Sequence, residues 1–251
     1  SGTPGFFTQF AVLFRRGWLQ NLRSHTANGI TLVQAVMLAI LLGLIYSDLG
    51  KTQVNIQDRL GVLFFVTVNS CMGSMFTVMQ TFPREKVIVC RERDARTYYT
   101  LSYFLSKSLS EIPFKIYGQI INGSILYWIV GFNPNAAAFF FFVLTQCLMS
   151  LSAAALGLMV GSWSPTQEAA FGIGPMVMVV LMLFGGFYIS TDSLPAGSQW
   201  VAYLSPMNWG FMAFAINDLA GQEGWVCNVE CVPEAAVGQC DTTVVDEGDM
   251  H

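Results

Sequence analysis

The stretch CRERDARTYY, residues 90–99, packs Arg91, Glu92, Arg93, Asp94 and Arg96 into one short run. Their signs alternate, so the run can form a helix bearing its own ion pairs at a solvated surface. Lys107, Glu111 and Lys115 follow at i, i+4 and i+8, on one helix face, and Glu111 ahead of Lys115 is the order that the helix dipole favours. Such a pattern supplies ion pairing and docking, not bond-making chemistry. The other chemical signals fail. Gly50, Lys51 and Thr52 end like a phosphate-binding loop, but the glycine required five residues earlier is Ile45. Asn122-Gly-Ser124 fits a glycosylation sequon, yet it lies inside an apolar stretch. The two histidines, His25 and His251, have no nearby cluster with metal-ligand spacing. No catalytic residue, no bound metal or cofactor, and no nucleic-acid partner is expected in this chain.

The elements that carry the charged run are greasy. The chain is 53% hydrophobic and only 11% charged, far below the usual quarter for a soluble domain. Ile30–Tyr46, Leu60–Phe82, Ile112–Val130, Ala136–Trp163 and Phe171–Ile189 are long apolar blocks. A hydrocarbon slab about 30 Å thick takes about 20 helical residues. The expected fold is therefore an all-α polytopic membrane protein with five spans, near 30–46, 60–82, 104–130, 136–163 and 171–189. Residues 83–103 form a charged connection between spans two and three. A helical hairpin there, charged at its tip, suits docking to another protein domain. The Lys107–Lys115 stripe must sit at headgroups or under protein, because charge at mid-membrane is costly.

Charge sets the orientation. All twelve Lys and Arg precede residue 116, concentrated before span one and between spans two and three. Basic residues near span ends favour the cytoplasmic side, which puts the N-terminus and residues 83–107 inside and everything after Ser190 outside. That last part holds nine acidic residues, no basic ones, and Cys227, Cys231 and Cys240, which suggest disulfides on an oxidising side. A surface or secretory-pathway membrane is expected, the plasma membrane first.

Smaller features fill in the elements. Residues 1–28 contain an amphipathic helix, Phe6–Ser24. Phe7, Phe10, Phe14, Trp18 and Leu22 share one face, and Gln9, Arg16, Gln20 and Arg23 the other, as in a helix lying in the cytoplasmic interface. Span four carries Gly157 and Gly161, a spacing that lets helix backbones approach closely. Pro175 and the glycines around it interrupt span five, marking either a substrate path or a packing accommodation. Trp200–Leu219 is apolar, but Pro206, Asn208 and Asn217 favour a helix at the outer face, dipping inward, over a sixth span.

The runs GVLFFVTVNSCMGSMF (61–76) and REKVIVCRERDARTYYTLSYFLSKSLSEIPF (84–114) closely resemble the transmembrane half of the G branch of ATP-binding cassette transporters, the White/pleiotropic-drug-resistance type. The family spacing is nearly kept in Glu92, Arg93, Tyr98 or Tyr99, Tyr103, Lys107, Glu111 and Pro113. YLSPMNWGFMAFAINDLAGQ (203–222), followed by cysteines, looks like that family's third extracellular loop. The resemblance implies that Phe6–Ser24 is the connecting, or elbow, helix. It implies a coupling helix within Arg84–Thr100, including Arg91, Glu92, Arg93, Asp94, Tyr98 and Tyr99, with Lys107 and Glu111 in a polar relay. It implies a substrate cavity at Asn69, Met72, Pro175 and Val179, and an outer plug at Phe187 and Tyr188. Met72 stands where multidrug members place a phenylalanine, which counts against flat polycyclic drugs.

The same resemblance implies a dimer and a nucleotide-binding domain that holds ATP and Mg. No nucleotide-binding motif occurs in these residues, and the family's sixth span is absent. The opening SGTPG reads as a cut edge, so a piece of a longer protein is expected. The leading expectation is the membrane domain of an ATP-driven exporter of lipids, sterols or hydrophobic small molecules. A channel or secondary transporter working without ATP is the alternative, and a membrane scaffold a third.

Overall fold

The computed structural model describes residues 5–46, 53–94, 98–188 and 199–219, without the side chains of 25–27, 53–55, 84, 93 and 94. Among the described residues there are eight helices and no strand: α1 Phe6–Arg23, α2 His25–Ile45, α3 Gln53–Asp94, α4 Thr100–Val130, α5 Ala136–Trp163, α6 Gln167–Leu183, α7 Gln199–Leu204 and α8 Pro206–Leu219. The all-α expectation holds. Asn28–Ile45, Ile56–Pro83 and Ala136–Trp163 are long and apolar enough to cross a bilayer. α6 has 17 residues and falls just short of that length. α4 is long enough, but Lys115, Gln119 and Asn122 dilute its apolar character.

Local chemistry sets the helix ends. Gly131 closes α4 in a left-handed conformation, φ +71°, that a side chain would resist. Asn135 then opens α5 by accepting the Ala137 N–H at 3.0 Å, and Thr166 opens α6 by accepting the Ala169 N–H at 3.2 Å. α6 stops at Leu183, and Gly186 at φ +81° turns the chain. The fifth apolar block is therefore a shorter helix than its composition predicts, and Phe187 and Tyr188 lie beyond its end.

α3 is the axis of the fold. Its 42 residues reach about 63 Å at 1.5 Å per residue, twice the hydrocarbon thickness. It runs through the second apolar block, past Pro83 and on to Asp94 without a break. α5 crosses it closely: a Cβ on Gly157 would stand 2.9 Å from the Met75 carbonyl oxygen, so that contact requires glycine. Ser74 and Ser150 share a 2.6 Å hydrogen bond across the same crossing. Two packed clusters result. One gathers Leu63, Phe64, Tyr127, Phe142 and Phe214 near the α4–α5 turn. The other is rich in sulfur, with Met75, Met79, Met149, Met178 and Met207, side chains that fill irregular gaps between helices.

The segment 200–219 departs from a single surface helix. Ser205 separates α7 from α8, and α8 buries Met207, Asn208, Gly210, Phe211, Phe214 and Asp218. Trp209, Met212 and Ile216 remain exposed on its other side.

Candidate functional site

α3 and α4 form a hairpin whose tip holds the charged run, and α1 packs along α4 beside it. Lys107 of α4 reaches Glu85 of α3 at 2.7 Å and Glu111 at 3.0 Å; Glu111 reaches Lys115 at 2.9 Å. Four side chains, each 16–23% exposed, thus make an alternating chain of charge between the two helices. The i, i+4, i+8 stripe is present as ion pairs. Glu85 was missed in the sequence, although it lies seven residues before Glu92, two helical turns along the same face.

Above this chain, the charged run does not pair within itself among the described side chains. Glu92 faces Arg16 of α1 at 3.6 Å and accepts the Tyr98 hydroxyl at 2.6 Å. Burial, then the bond to Glu92, pushes the Tyr98 phenol well above its ordinary pKa. Tyr98 stacks on Tyr103 with centroids 5.6 Å apart. The Tyr99 backbone N–H donates to Gln9 Oε1 at 3.0 Å, and the Tyr99 ring is exposed. Gln9 is consequently buried, not on a solvated basic face as its periodicity implied, because the hairpin tip covers it. Trp18 packs edge-on against Phe114 at 5.4 Å, so α1 is docked on protein through part of its aromatic face. Arg91 is exposed. Lys86 donates to the Ser162 carbonyl at 2.7 Å, tying α3 to the end of α5.

A cavity of about 240 Å³ lies between α2, α3 and α4. Glu111 and Lys115 line one end, and Asn69 and Asn122 line the other. Behind it, Gln146 of α5 is fully buried; its amino group donates to Gln119 Oε1 and Asn122 Oδ1, each at 3.1 Å. Asn122 in turn donates to the Ala35 carbonyl at 2.8 Å. The polar residues that dilute α4 are therefore paired inside the bundle.

The description "ABC-2 type transporter" fits residues 8–219 of this sequence as a family model. The chain belongs to the ABC-2 type transporter family. Its relatives place this ABC-2 membrane domain in the G branch. It is 34% identical over 219 residues to ABC transporter G family member 7 of Arabidopsis thaliana, covering 87% of this chain and 30% of that protein. It is 28% identical over 218 residues to Protein white of Drosophila melanogaster, covering 87% and 32%. It is 27% identical over 249 residues to the Broad substrate specificity ATP-binding cassette transporter ABCG2 of Mus musculus, covering 97% and 38%. The chain thus spans about a third of the length of the relatives it matches.

Within this ABC-2 domain the residues that the resemblance marks as a cavity fall on two sides of α3. Asn69 lines the α2–α3–α4 cavity, whereas Met72 packs toward the sulfur-rich cluster that includes α6. Pro175 is half-buried in α6, and Val179 is exposed. Phe187 stacks on Phe64 at 4.5 Å, with Tyr188 edge-on to the same ring at 5.4 Å and Phe211 of α8 5.8 Å from Phe187. These rings make one aromatic cluster beyond the end of α6. The side chains of Arg93 and Asp94, and Cys227, Cys231 and Cys240, lie outside the described residues.

One charged pair escaped the sequence reading altogether. Arg59 Nη1 meets Asp218 Oδ2 at 3.1 Å, and both side chains are 3% exposed. Arg59 Nη2 also donates to the Gly131 carbonyl at 3.2 Å, and the Asn133 N–H donates to Asp218 Oδ1 at 3.2 Å. The pair joins α3, α8 and the α4–α5 turn. Its partners are separated by 159 positions, so no local pattern could announce it.

Proposed function

We propose that this chain is the membrane domain of an ATP-driven exporter of lipids, sterols or hydrophobic small molecules, acting as one half of a dimer. ATP and Mg would be held by a nucleotide-binding domain of the longer protein. The reading is carried by the unbroken passage of α3 from the apolar bundle to a charged tip at Asp94. A continuous helix of that length links its end to the packed segment near Asn69 and Met72, with Pro83 between them. Arg91, Glu92, Arg93, Asp94, Tyr98 and Tyr99 would form the docking surface, and the Glu85–Lys107–Glu111–Lys115 chain would keep α3 and α4 together as it moves. Cargo would pass Asn69 on one side of α3 and Met72, Pro175 and Val179 on the other, with Phe187 and Tyr188 closing the outer side. Transport requires that cargo be bound differently in two states. On this reading the N-terminus is cytoplasmic and the membrane is the plasma membrane.

The test is Glu111→Ala in the full-length protein, read as surface abundance, ATP hydrolysis and cargo export. The expected outcome is normal abundance with hydrolysis that no longer responds to cargo, and export reduced at least about tenfold, a barrier change near 1.4 kcal/mol. Wild-type export and cargo-stimulated hydrolysis in that variant would remove the coupling assignment. Export that persists without ATP would instead favour the carrier or channel.

A further inference from the structure

Six carboxamides line the cavity between α2, α3 and α4; Asn21, Asn28 and Asn122 donate to backbone carbonyls, which leaves Gln34, Asn69 and Gln119, from three helices. Among the described residues, the side chain of neither Gln34 nor Asn69 makes a hydrogen bond within the chain. Gln119 accepts from Gln146 through its oxygen, and its amino group donates to nothing among the described residues. Gln34 lies in Asn28–Ile45 and Asn69 in Ile56–Pro83, two of the segments apolar enough to cross a bilayer. Hydrocarbon offers an amide no partner, and unmet amides there are heavily penalised. Three of them facing one space call for a polar occupant.

The charges at the cavity's end narrow what that occupant is. Glu111 and Lys115 are paired at 2.9 Å, and Lys107 and Glu85 beyond them balance as well. A carboxylate or phosphate would find no unpaired cation among the described residues there, and an ammonium no unpaired anion. Carboxamides both donate and accept, which suits hydroxyl, ester and amide groups. The volume of about 240 Å³ is below the roughly 300–1,000 Å³ of sites that enclose a drug-sized ligand. It holds one end of a molecule. Gln34 and Leu38 also belong to a strip along α2 with Ile30, Val33, Met37 and Leu41, all four exposed and apolar. That strip continues the cavity outward as a surface for hydrocarbon.

We infer that the α2–α3–α4 cavity binds the hydrogen-bonding end of an uncharged amphiphile, whose apolar body lies along the α2 strip. As the fate of transported cargo, this rests on the export reading; as binding, it does not need ATP. The site belongs to a single chain and lies on the side of α3 away from α6.

Photolabelling of the full-length protein in lipid nanodiscs without nucleotide tests it. Three diazirine probes with the same hydrocarbon chain are compared at equal bilayer concentration: a monoacylglycerol, a fatty acid and the bare alkane. The monoacylglycerol should label peptides around Gln34, Asn69 and Gln119, competed by its unlabelled form, with the other two about tenfold weaker. Asn69→Leu should reduce labelling three- to tenfold, roughly one or two lost hydrogen bonds. Gln34→Leu should do the same, and since Gln34 is exposed and unbonded in the chain, its removal does not endanger folding. Equal labelling by the alkane, preference for the fatty acid, or unchanged labelling in both leucine variants would overturn the proposal. Because the readout needs no ATP, loss of the labelling pattern refutes the site alone, and a failure of ATP-driven export leaves a positive pattern standing.

Discussion

The two ends of α3 each meet charge from other elements, in opposite ways. Near its N-terminal end Arg59 and Asp218 are 3% exposed and also bonded to Gly131 and Asn133. Toward its C-terminal end Glu85, Lys107, Glu111 and Lys115 are 16–23% exposed, and Lys107 and Glu111 each stand between two opposite charges. A fully desolvated pair strongly penalises separation, because breaking it strands a charge. In a chain of alternating, partly exposed charge, losing one partner costs less, because the next residue and some water compensate. One end of the helix is held by a single buried pair, and the other by a chain of partly exposed charges.

The largest expected effect tests the N-terminal end. Asp218→Ala should cost about 3–5 kcal/mol, since Arg59 is left buried without its carboxylate. Thermal unfolding in detergent would read it as a large drop in midpoint. Arg59→Met combined with Asp218→Leu should recover most of the loss, since an apolar pair of similar volume replaces the ions. A loss below about 1 kcal/mol in the single variant would abolish the contrast between the two ends.

The C-terminal end should respond less in stability and more in function. Lys107→Met removes the residue that joins Glu85 to Glu111, yet Lys115 still serves Glu111. About 1–2 kcal/mol of destabilisation is expected, the range for charged hydrogen bonds with partial exposure. Swapping the pair as Glu85→Lys with Lys107→Glu should restore less than half of that, because the carboxylate introduced at position 107 would face Glu111. Full restoration would mean that the Glu85–Lys107 contact acts alone and the alternating chain carries nothing.

The difference between these ends also explains what could be read without coordinates. The Lys107–Glu111–Lys115 stripe is local, with partners four residues apart on one helix, so spacing alone displays it. The helical class was equally visible, because apolar blocks of about 20 residues have few other solutions. Arg59 and Asp218 were opaque: one falls in the sequence between the first two apolar blocks and the other in an interrupted apolar segment, and only the folding of α8 onto α3 joins them. Gln9 was misread for a related reason. Helical periodicity separates polar from apolar faces, but a polar face can be covered by a polar hairpin tip as readily as by water. The charged run was legible as a surface element, while the partners of Glu92 are Arg16 of α1, docked beside it, and Tyr98 from the end of the same stretch.

A finer probe of the C-terminal end is the Tyr98–Glu92 contact, at 2.6 Å near the hairpin's tip. Tyr98→Phe deletes the hydroxyl and keeps the ring that stacks on Tyr103. A double-mutant cycle with Glu92→Gln should give a coupling of about 0.5–1.5 kcal/mol. A coupling near zero would leave Glu92 held by Arg16 alone.

Arg91 should show the smallest effect on stability, and its value lies in separating two roles for charge. It is exposed beside Glu92, and among the described side chains it makes no ion pair. Arg91→Ala should therefore change stability by no more than about 0.5 kcal/mol, as for other surface positions. If the tip is a docking surface, the same substitution should still weaken cargo-stimulated ATP hydrolysis in the full-length protein, because the lost contact is with another domain. Arg91→Lys, which keeps the charge but not the planar fork, should fall between the two. Unchanged hydrolysis in Arg91→Ala would confine docking to other residues of the tip. A stability loss above about 1 kcal/mol would show that Arg91 belongs to the internal charge network after all, and would extend the alternating chain from Lys115 through Glu85 to the hairpin's end.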